Sequence, residues 1–585
     1  MADDVEKITY EQDDQFETRL LPNMLAADPK TQLFSQALQL TGLADTLRSY
    51  YYADYKAPET QKYYYRSHTW SEVAWYNTNR YKTFTVFAET DDVLAAHGIT
   101  SINQLKSYAR QVYDEAFPED ANVTDPTDRR NSLNRFVAYH ILPFGSSYWY
   151  LTAYDGKMTD KFYDTTLTDI PAWYATLMPH AALKCSYPMG DERGIFLNRR
   201  GLKDGPDRYG MQVRGAKIVA STEGDDPFTR KAFNGYYYHI DRMLAYDKTT
   251  REDVLGSELW RMDFKTLSPD IMNNAEELRG NYLNDDSNAT PDDSPNPRNG
   301  RNYIYKWDCL ENITASKADT HPGLVARRAH CNFWSWLGDE MNIFGDFGSI
   351  DIKLPTLPAG EWEVRMGYCA LETRPLLKVY LNGTKVLDPL DMSLYYYDAD
   401  LPFSEQNIQN KILDYMLTNF FVVTKNDEDG QYHITDAKTG ATMVYGKSTD
   451  PYRDLGVSPI RSFTGKDLET GEWVNWTERA IEYREQATKE FIATLPKVML
   501  FSSECFHFNT SGTQYRYANE GGYPNYRCLR AVLGRINSDG KGDNHLRLEF
   551  HGDNNAVYGN NSELMLDFFE LVPKAVYDNP TIPEL

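Results

Sequence analysis

Apolar and polar positions follow a helical period, a strand period and no period in turn along this chain, and those changes suggest its organisation. Residues 83–92, Thr-Phe-Thr-Val-Phe-Ala-Glu-Thr-Asp-Asp, form a β-branched and aromatic run with a polar end. The run predicts a buried strand, with Thr90-Asp91-Asp92 capping a helix that starts at Val93. Leu133, Phe136, Val137 and His140 or Ile141 recur at spacings of three and four, which predicts the end of a helix stopped at Pro143. Residues 32–47 predict a short amphipathic helix, a glycine break and a second helical turn. Residues 233–244 open on Asn-Gly and continue as a strand. Residues 195–197 and 217–220 are further candidate strands. These pieces predict one compact α/β core.

After this core the pattern changes. Residues 245–281 read as a connector with a candidate strand at 258–264. Residues 284–301 are polar, acidic and proline-rich, which predicts a loop. They lack the Asp-x-Asp-x-Asp-Gly spacing of a calcium loop. From Asn302 the period becomes two. Strands are predicted at 303–310, 331–337, 350–354 and 361–368, and 376–381 turns through Asn382-Gly383 into 385–387. The alternation stops between about 394 and 495. There, 404–421 and 477–495 carry helical spacing, and 421–424 with 431–435 suggest a small hairpin. Strand character returns at 497–501, 527–534, 545–550 and 563–572. Neither β block alone is long enough to close a sandwich, so the two are read as one β-sandwich split by an insertion.

Two family resemblances rest on these segments. Leu43-Ala-Asp-Thr-Leu47, the Thr85–Asp92 run, Tyr139-His140 and the Asn234–Leu244 strand stand in the order of the fasciclin (FAS1) domain hallmarks, with Glu89 where that family has proline. This resemblance implies a fasciclin-like α/β domain over about 30–246, with loops inserted near 108–130, 145–170 and 199–212. Ser349-Ile-Asp-Ile-Lys-Leu-Pro, Ala359-Gly-Glu-Trp-Glu-Val-Arg-Met-Gly-Tyr368, the Val379-Tyr-Leu-Asn-Gly383 hairpin and Leu566-Asp-Phe-Phe-Glu-Leu571 resemble galactose-binding-like jelly rolls, the fold of many carbohydrate-binding modules. The expected class is α+β. The expected plan is a tether at 1–29 that becomes ordered near Leu20-Leu21-Pro22, the fasciclin-like domain at 30–246 and a connector with acidic loop at 247–301. A jelly roll follows at 302–395 plus 496–575, split by a helical or mixed insertion at 396–495. That combination resembles surface lipoproteins encoded beside glycan-importing outer-membrane transporters in gut Bacteroidota.

Composition narrows the partners. The formal net charge of −24 repels nucleic acid and anionic membrane surfaces. The 43 tyrosines among 585 residues suit either strands or binding faces. Six cysteines are spread without a Cys-x-x-Cys pair, which excludes a dense disulfide framework and the common zinc spacings. Cys505 and Cys528 are candidates for a pair or for buried free thiols. No run of about 18 apolar residues is present to span a membrane as a helix. The acidic start Met-Ala-Asp-Asp-Val-Glu-Lys resembles a mature export product whose signal has been removed, and Asp3 and Asp4 fit the segment behind a lipidated cysteine.

Candidate chemistry is sparse. His-Glu-x-x-His, Gly-x-Ser-x-Gly, a P-loop and a helix-opening Gly-x-Gly-x-x-Gly are missing from the sequence. His140 and His239 are read as core histidines. A sugar site needs aromatic faces and hydrogen-bonding groups. Candidates on expected loops are Tyr395, Tyr396, Tyr397, Phe506, Tyr515, Tyr526, Asn560 and Asn561. Asp339, Glu340 and Asp567 are candidates for a structural Ca²⁺ site, and no other cofactor is expected. The expected function is non-catalytic. The protein would be a surface lipoprotein of the outer membrane that supports adhesion or binds glycan beside transporter proteins, reaching the membrane only through a lipid anchor. A glycoside hydrolase with its site in the insertion, or a purely structural subunit of the complex, are the alternatives.

Overall fold

The computed structural model describes residues 13–67, 70–148, 151–152, 171–188, 194–201, 206, 210–219, 230–274, 302–328, 335–336, 339–371, 373–394, 405–428, 430–447, 450–456, 460–494, 498–500, 505–508, 514–516, 528–553 and 562–579. The architecture is α+β.

The first layer is a mixed sheet with helices packed against it. The Phe84–Glu89 strand is buried along its whole length and runs parallel to Gly235–Ile240, with Val86 opposite Tyr237. A strand enclosed on both faces needs a nearly continuous apolar run, which Phe84, Val86, Phe87 and Ala88 supply, while the buried Thr85 hydroxyl donates to the Phe144 carbonyl at 2.8 Å. The sheet continues through Ala216–Val219, Phe196–Leu197 and Ala182–Ser186 to Ala172–Ala175, and Ile141–Leu142 closes its other edge. Gly235 has φ +142°, and a Cβ there would stand 1.9 Å from the Phe84 carbonyl oxygen, so the parallel pair closes only over glycine.

Capping explains the helices around this sheet. The Thr90 hydroxyl accepts the Val93 amide at 3.3 Å and starts the Asp91–Ala96 helix. Asp91 then reaches across to accept the Gln32 and Leu33 amides at 3.2 and 2.9 Å, capping the Gln32–Leu40 helix from another part of the chain. The Ser132–Tyr139 helix ends where Ile141 enters the sheet. The expected loop near 108–130 begins as helix, because Ile102–Ala116 continues through its first residues with Leu105, Ala109 and Tyr113 buried.

Two antiparallel five-stranded sheets face each other in the β half. One has the order Trp260–Asp263, Phe568–Pro573, Gly360–Cys369, Cys528–Ser538, Val498–Leu500. The other has the order Ile313–Ala315, Ser349–Leu354, Asn544–Asp553, Pro375–Leu381, Thr384–Asp391. Strands from before and after residue 400 are thus hydrogen-bonded neighbours in both sheets. The sheets meet closely at Gly534, where a Cβ would stand 3.0 Å from Leu381 of the facing sheet. The turn between Pro375–Leu381 and Thr384–Asp391 places Asn382 at φ +48° and Gly383 at φ +78°, as a type I′ hairpin requires.

Three boundaries differ from expectation. The stretch assigned to a tether contains the helices Asp13–Thr18 and Leu21–Ala27, with Leu20, Leu21 and Leu25 buried. Their apolar side chains pay for ordering the segment. The strands Lys62–Ser67 and Trp70–Tyr76, inside the expected fasciclin-like range, pair with each other outside the first sheet. The second of them, Trp70–Tyr76, runs parallel to Asn302–Lys306 in a six-stranded sheet completed by Gly323–Arg328, Asp339–Phe344 and Glu563–Leu566. The expected connector contains Trp260–Asp263, an edge strand of the sandwich. Trp260 stacks on Trp173 at 5.1 Å and meets Trp362 edge-on at 5.6 Å, joining both halves in one hydrophobic core.

The insertion carries a second core. Helices Glu405–Asn419 and Thr477–Thr494 pack with a five-stranded antiparallel meander, Phe421–Lys425, Tyr432–Asp436, Thr442–Tyr445, Thr464–Asp467 and Trp473–Asn475. The small hairpin expected there is thus the first part of a full sheet. Strands of three to five residues are too short to show an alternation in the sequence.

Candidate functional site

The histidines singled out by the sequence tie elements together through buried acids. His140 is fully buried. Its Nδ1 lies 2.7 Å from the Phe136 carbonyl oxygen, which can only accept, so Nδ1 carries a hydrogen. Its Nε2 lies 2.8 Å from Glu89 Oε1, and that same oxygen accepts the Leu244 amide at 2.9 Å. The pair therefore joins the end of a strand, the end of a helix and the turn after Gly235–Ile240. Glu89 Oε2 has no hydrogen-bond partner among the described residues. His239 Nε2 lies 2.8 Å from Asp28 Oδ2, fixing the Leu21–Ala27 helix to the sheet.

In the sandwich, Glu570 is surrounded by arginines. Arg261 Nε donates to it at 2.9 Å, Arg530 donates at 2.9 and 3.0 Å, and an Arg365 nitrogen stands at 3.6 Å. Burial works to raise the Glu570 carboxyl. Arg261, Arg530 and Arg365 outweigh it and hold the group below the ordinary carboxylate value.

An aromatic ledge is the surface feature these elements position. The chain at 50–52 pairs with 80–82. Tyr52 and Lys82 amides donate to the Arg80 and Tyr50 carbonyls at 2.9 and 2.8 Å, and Tyr51 is bridged to Tyr81. The Phe16 ring packs 5.0 Å from Tyr50 and 4.1 Å from Phe233, and Tyr50 packs 4.6 Å from Tyr51. Tyr51, Tyr81 and Phe233 are 42%, 44% and 50% exposed, so the cluster presents ring faces and edges to solvent. A joined aromatic surface of this kind differs from the scattered apolar residues normal on a protein exterior.

The backbone beneath the ledge is held by hydrogen bonds to other elements. Asn274 Oδ1 accepts the Tyr81 amide at 2.6 Å, Asn273 Oδ1 accepts the Thr83 amide at 3.0 Å, and the Arg19 carbonyl accepts the Phe233 amide at 2.8 Å. The Arg80 guanidinium lies 3.6 Å over the Tyr52 ring, and the Lys82 ammonium lies 4.1 Å from the same ring. Arg80 also donates to Asp270 at 2.5 Å and to the Cys309 carbonyl at 2.7 Å. Burial pushes the Asp270 carboxyl up to about 6 against the pull of Arg80, and pushes the Tyr52 phenol up to about 12, helped by Glu311.

The sequence-derived candidates fall elsewhere. Tyr395, Tyr396, Tyr397, Tyr526, Asn560 and Asn561 lie outside the described residues. Phe506 and Tyr515, expected on loops, sit in the short paired strands Cys505–Phe508 and Gln514–Arg516. The register pairs Phe506 with Arg516 and His507 with Tyr515, so Phe506 and Tyr515 are not cross-strand partners. Asp339 and Glu340 belong to the Asp339–Phe344 strand. Its pairing of Met341 with Leu566 carries the backbone of Glu340 beside that of Asp567, whose side chain is buried. The side chains of Asp339 and Glu340 are outside the description. Among the described residues no group of three His, Cys, Asp or Glu is placed to hold a metal. Cys505 and Cys528 likewise have only their backbone described, while Cys185 and Cys309 are buried. The sequence reading missed the ledge, although the runs Tyr50-Tyr51-Tyr52 and Tyr63-Tyr64-Tyr65 carry the same signal as Tyr395-Tyr396-Tyr397.

No family model matches the chain, and no curated protein matches it. Among solved structures, a xanthan lyase from Paenibacillus is similar at 12% identity and a TM-score of 0.12, over 49% of this chain and 27% of that one. The chain thus spans little more than a quarter of the lyase, and a likeness of this size carries no argument about fold or activity. No described helix is long and apolar enough to cross a membrane.

Proposed function

We propose that this protein is a non-catalytic glycan-binding and docking protein of the cell surface. In this reading it is an outer-membrane lipoprotein serving a nutrient-uptake complex, with a fasciclin-like first half and a galactose-binding-like jelly roll. The observation that carries the binding reading is the aromatic ledge of Phe16, Tyr50, Tyr51, Tyr81 and Phe233, solvent-facing on a backbone pinned by Asn273 and Asn274. Rigid rings give a sugar's C–H face contact area at little entropic cost. The sandwich of two antiparallel sheets supports the jelly-roll reading, and the use of His140, His239 and Glu570 as clamps between elements supports a holding role.

The test is electrophoresis through gels carrying a panel of polysaccharides, with wild type beside Y51A/Y81A/F233A. Retardation of wild type on at least one polysaccharide, lost in the triple variant, is expected. Release of sugar fragments from any polysaccharide would overturn the non-catalytic reading in favour of a hydrolase. Retardation unchanged in the triple variant would remove the ledge from the site. Failure on every gel, with outer-membrane proteins captured in a pull-down, would leave a structural subunit.

A further inference from the structure

A crevice of about 360 Å³ opens where the α/β layer meets the sandwich, and it shares no lining residue with the ledge. One wall is the turn after Ala172–Ala175, carrying Met178, Pro179 and His180. The opposite wall is the end of Ser349–Leu354 with Pro355 and Thr356, and Asp543 stands at the mouth of the next strand. His180 has φ +64°, a left-handed conformation that costs energy for any residue with a Cβ. Its Nδ1 lies 2.9 Å from Thr356 Oγ1 and 3.8 Å from Asp543 Oδ1, and Lys353 Nζ lies 2.9 Å from Asp543 Oδ2. His180, Lys353 and Asp543 are each more than a third exposed, so they are open to a ligand.

We infer that this crevice binds the neutral end of a saccharide, one or two rings long. Lys353 and Asp543 already neutralise each other, which leaves no net charge to hold an ion. They do leave donors and acceptors side by side. A hydroxyl group, which gives one hydrogen bond while taking another, matches that arrangement. Met178, Pro179, Leu354 and Pro355 supply apolar walls for C–H groups, and the volume lies in the range of small-molecule sites. Among the described residues no Phe, Tyr or Trp lines the crevice, so recognition here is by hydrogen bonds rather than stacking on a broad ring, and it favours a chain end over a chain interior. The inference rests on the glycan-binding reading and deepens it.

The experiment is isothermal titration of the full chain with glucose, galactose, mannose, maltose and lactose, with glucuronate as a charged control. The variants are K353M, D543A and H180G. The last removes the ring at a backbone position that glycine adopts freely, so the fold is retained. At least one neutral sugar is expected to bind wild type, and each variant is expected to bind it at least tenfold more weakly with an unchanged melting temperature. These variants should still be retarded on the polysaccharide gels, and Y51A/Y81A/F233A should still bind the small sugar. No heat from any neutral sugar, tighter binding of glucuronate, or unchanged affinity in K353M and D543A would each overturn the crevice assignment. Gel retardation persisting through such a failure leaves the ledge reading standing, and its loss in wild type removes both.

Discussion

The Glu89–His140 pair offers a sharp test, because one carboxylate oxygen does two jobs. Glu89 Oε1 accepts the Leu244 amide and faces His140 Nε2, and His140 Nδ1 is committed to the Phe136 carbonyl. The near-isosteric change Glu89→Gln cannot reproduce this. If the amide oxygen takes the place of Oε1, it satisfies Leu244 and faces the Nε2 lone pair of a neutral ring. If the amide nitrogen takes that place, it donates to Nε2 and confronts the Leu244 N–H. One buried polar atom is left unsatisfied either way, at a cost of about 1–3 kcal/mol. His140→Phe strands a buried carboxylate and is expected to cost more, about 3–5 kcal/mol. Glu89→Leu with His140→Phe removes both polar partners and is expected to cost less than the sum of the two single changes. The global readout is the urea midpoint of tryptophan fluorescence, since Trp173 and Trp260 lie in the same core. The local readout is hydrogen exchange at the Leu244 amide, which in E89Q should be roughly 5- to 150-fold faster if the cost is felt there. E89Q with a wild-type midpoint and wild-type exchange at Leu244 would refute the two-donor reasoning.

Three further changes probe the frame around the ledge, the first sheet and the hairpin turn of the sandwich. Asp270 titrates near 6 in the folded protein because of burial, against an ordinary 3.8, so the folded state holds its proton more tightly than the unfolded chain. Its contribution to stability is therefore full below about pH 4 and is lost as pH rises through about 6, by roughly 3 kcal/mol in all. Asp270→Asn removes that titration, so the stability of D270N relative to wild type should rise by about this amount between pH 4 and 7 in paired urea titrations. A constant difference across that range would contradict it. Gly235→Ala drives a Cβ into the Phe84 carbonyl and should cost roughly 3 kcal/mol or more, read as lost soluble yield or a lowered urea midpoint. Gly383→Ala, at φ +78° with open space around it, should cost only about 1–2 kcal/mol in the same assay, because only the backbone conformation is strained.

Local chemistry alone was enough to read the Phe84–Glu89 strand, the Thr90 cap, a helix before Pro143 and the Asn382-Gly383 hairpin, although that helix ends at Tyr139 rather than at Pro143 because Ile141–Leu142 pairs in the sheet. Each depends on residues within a few positions of one another, where periodicity, cap preference and φ freedom act directly. His140 was legible as a core residue, although its partner Glu89 stands 51 positions away. What the fold decided was pairing over long separations. The paired strands Lys62–Ser67 and Trp70–Tyr76 join a strand at Asn302 rather than the first sheet, and Trp260 turns an expected connector into the joint between two halves. Asp91 caps a helix 59 residues upstream of it. The ledge and the crevice belong to the same class. Phe16, Tyr51, Tyr81 and Phe233, or His180, Lys353 and Asp543, share no local pattern and become neighbours only when distant backbones hydrogen-bond. The sequence therefore specified elements and their buried faces, while tertiary pairing, driven by burial of the shared core, selected which exposed side chains stand together.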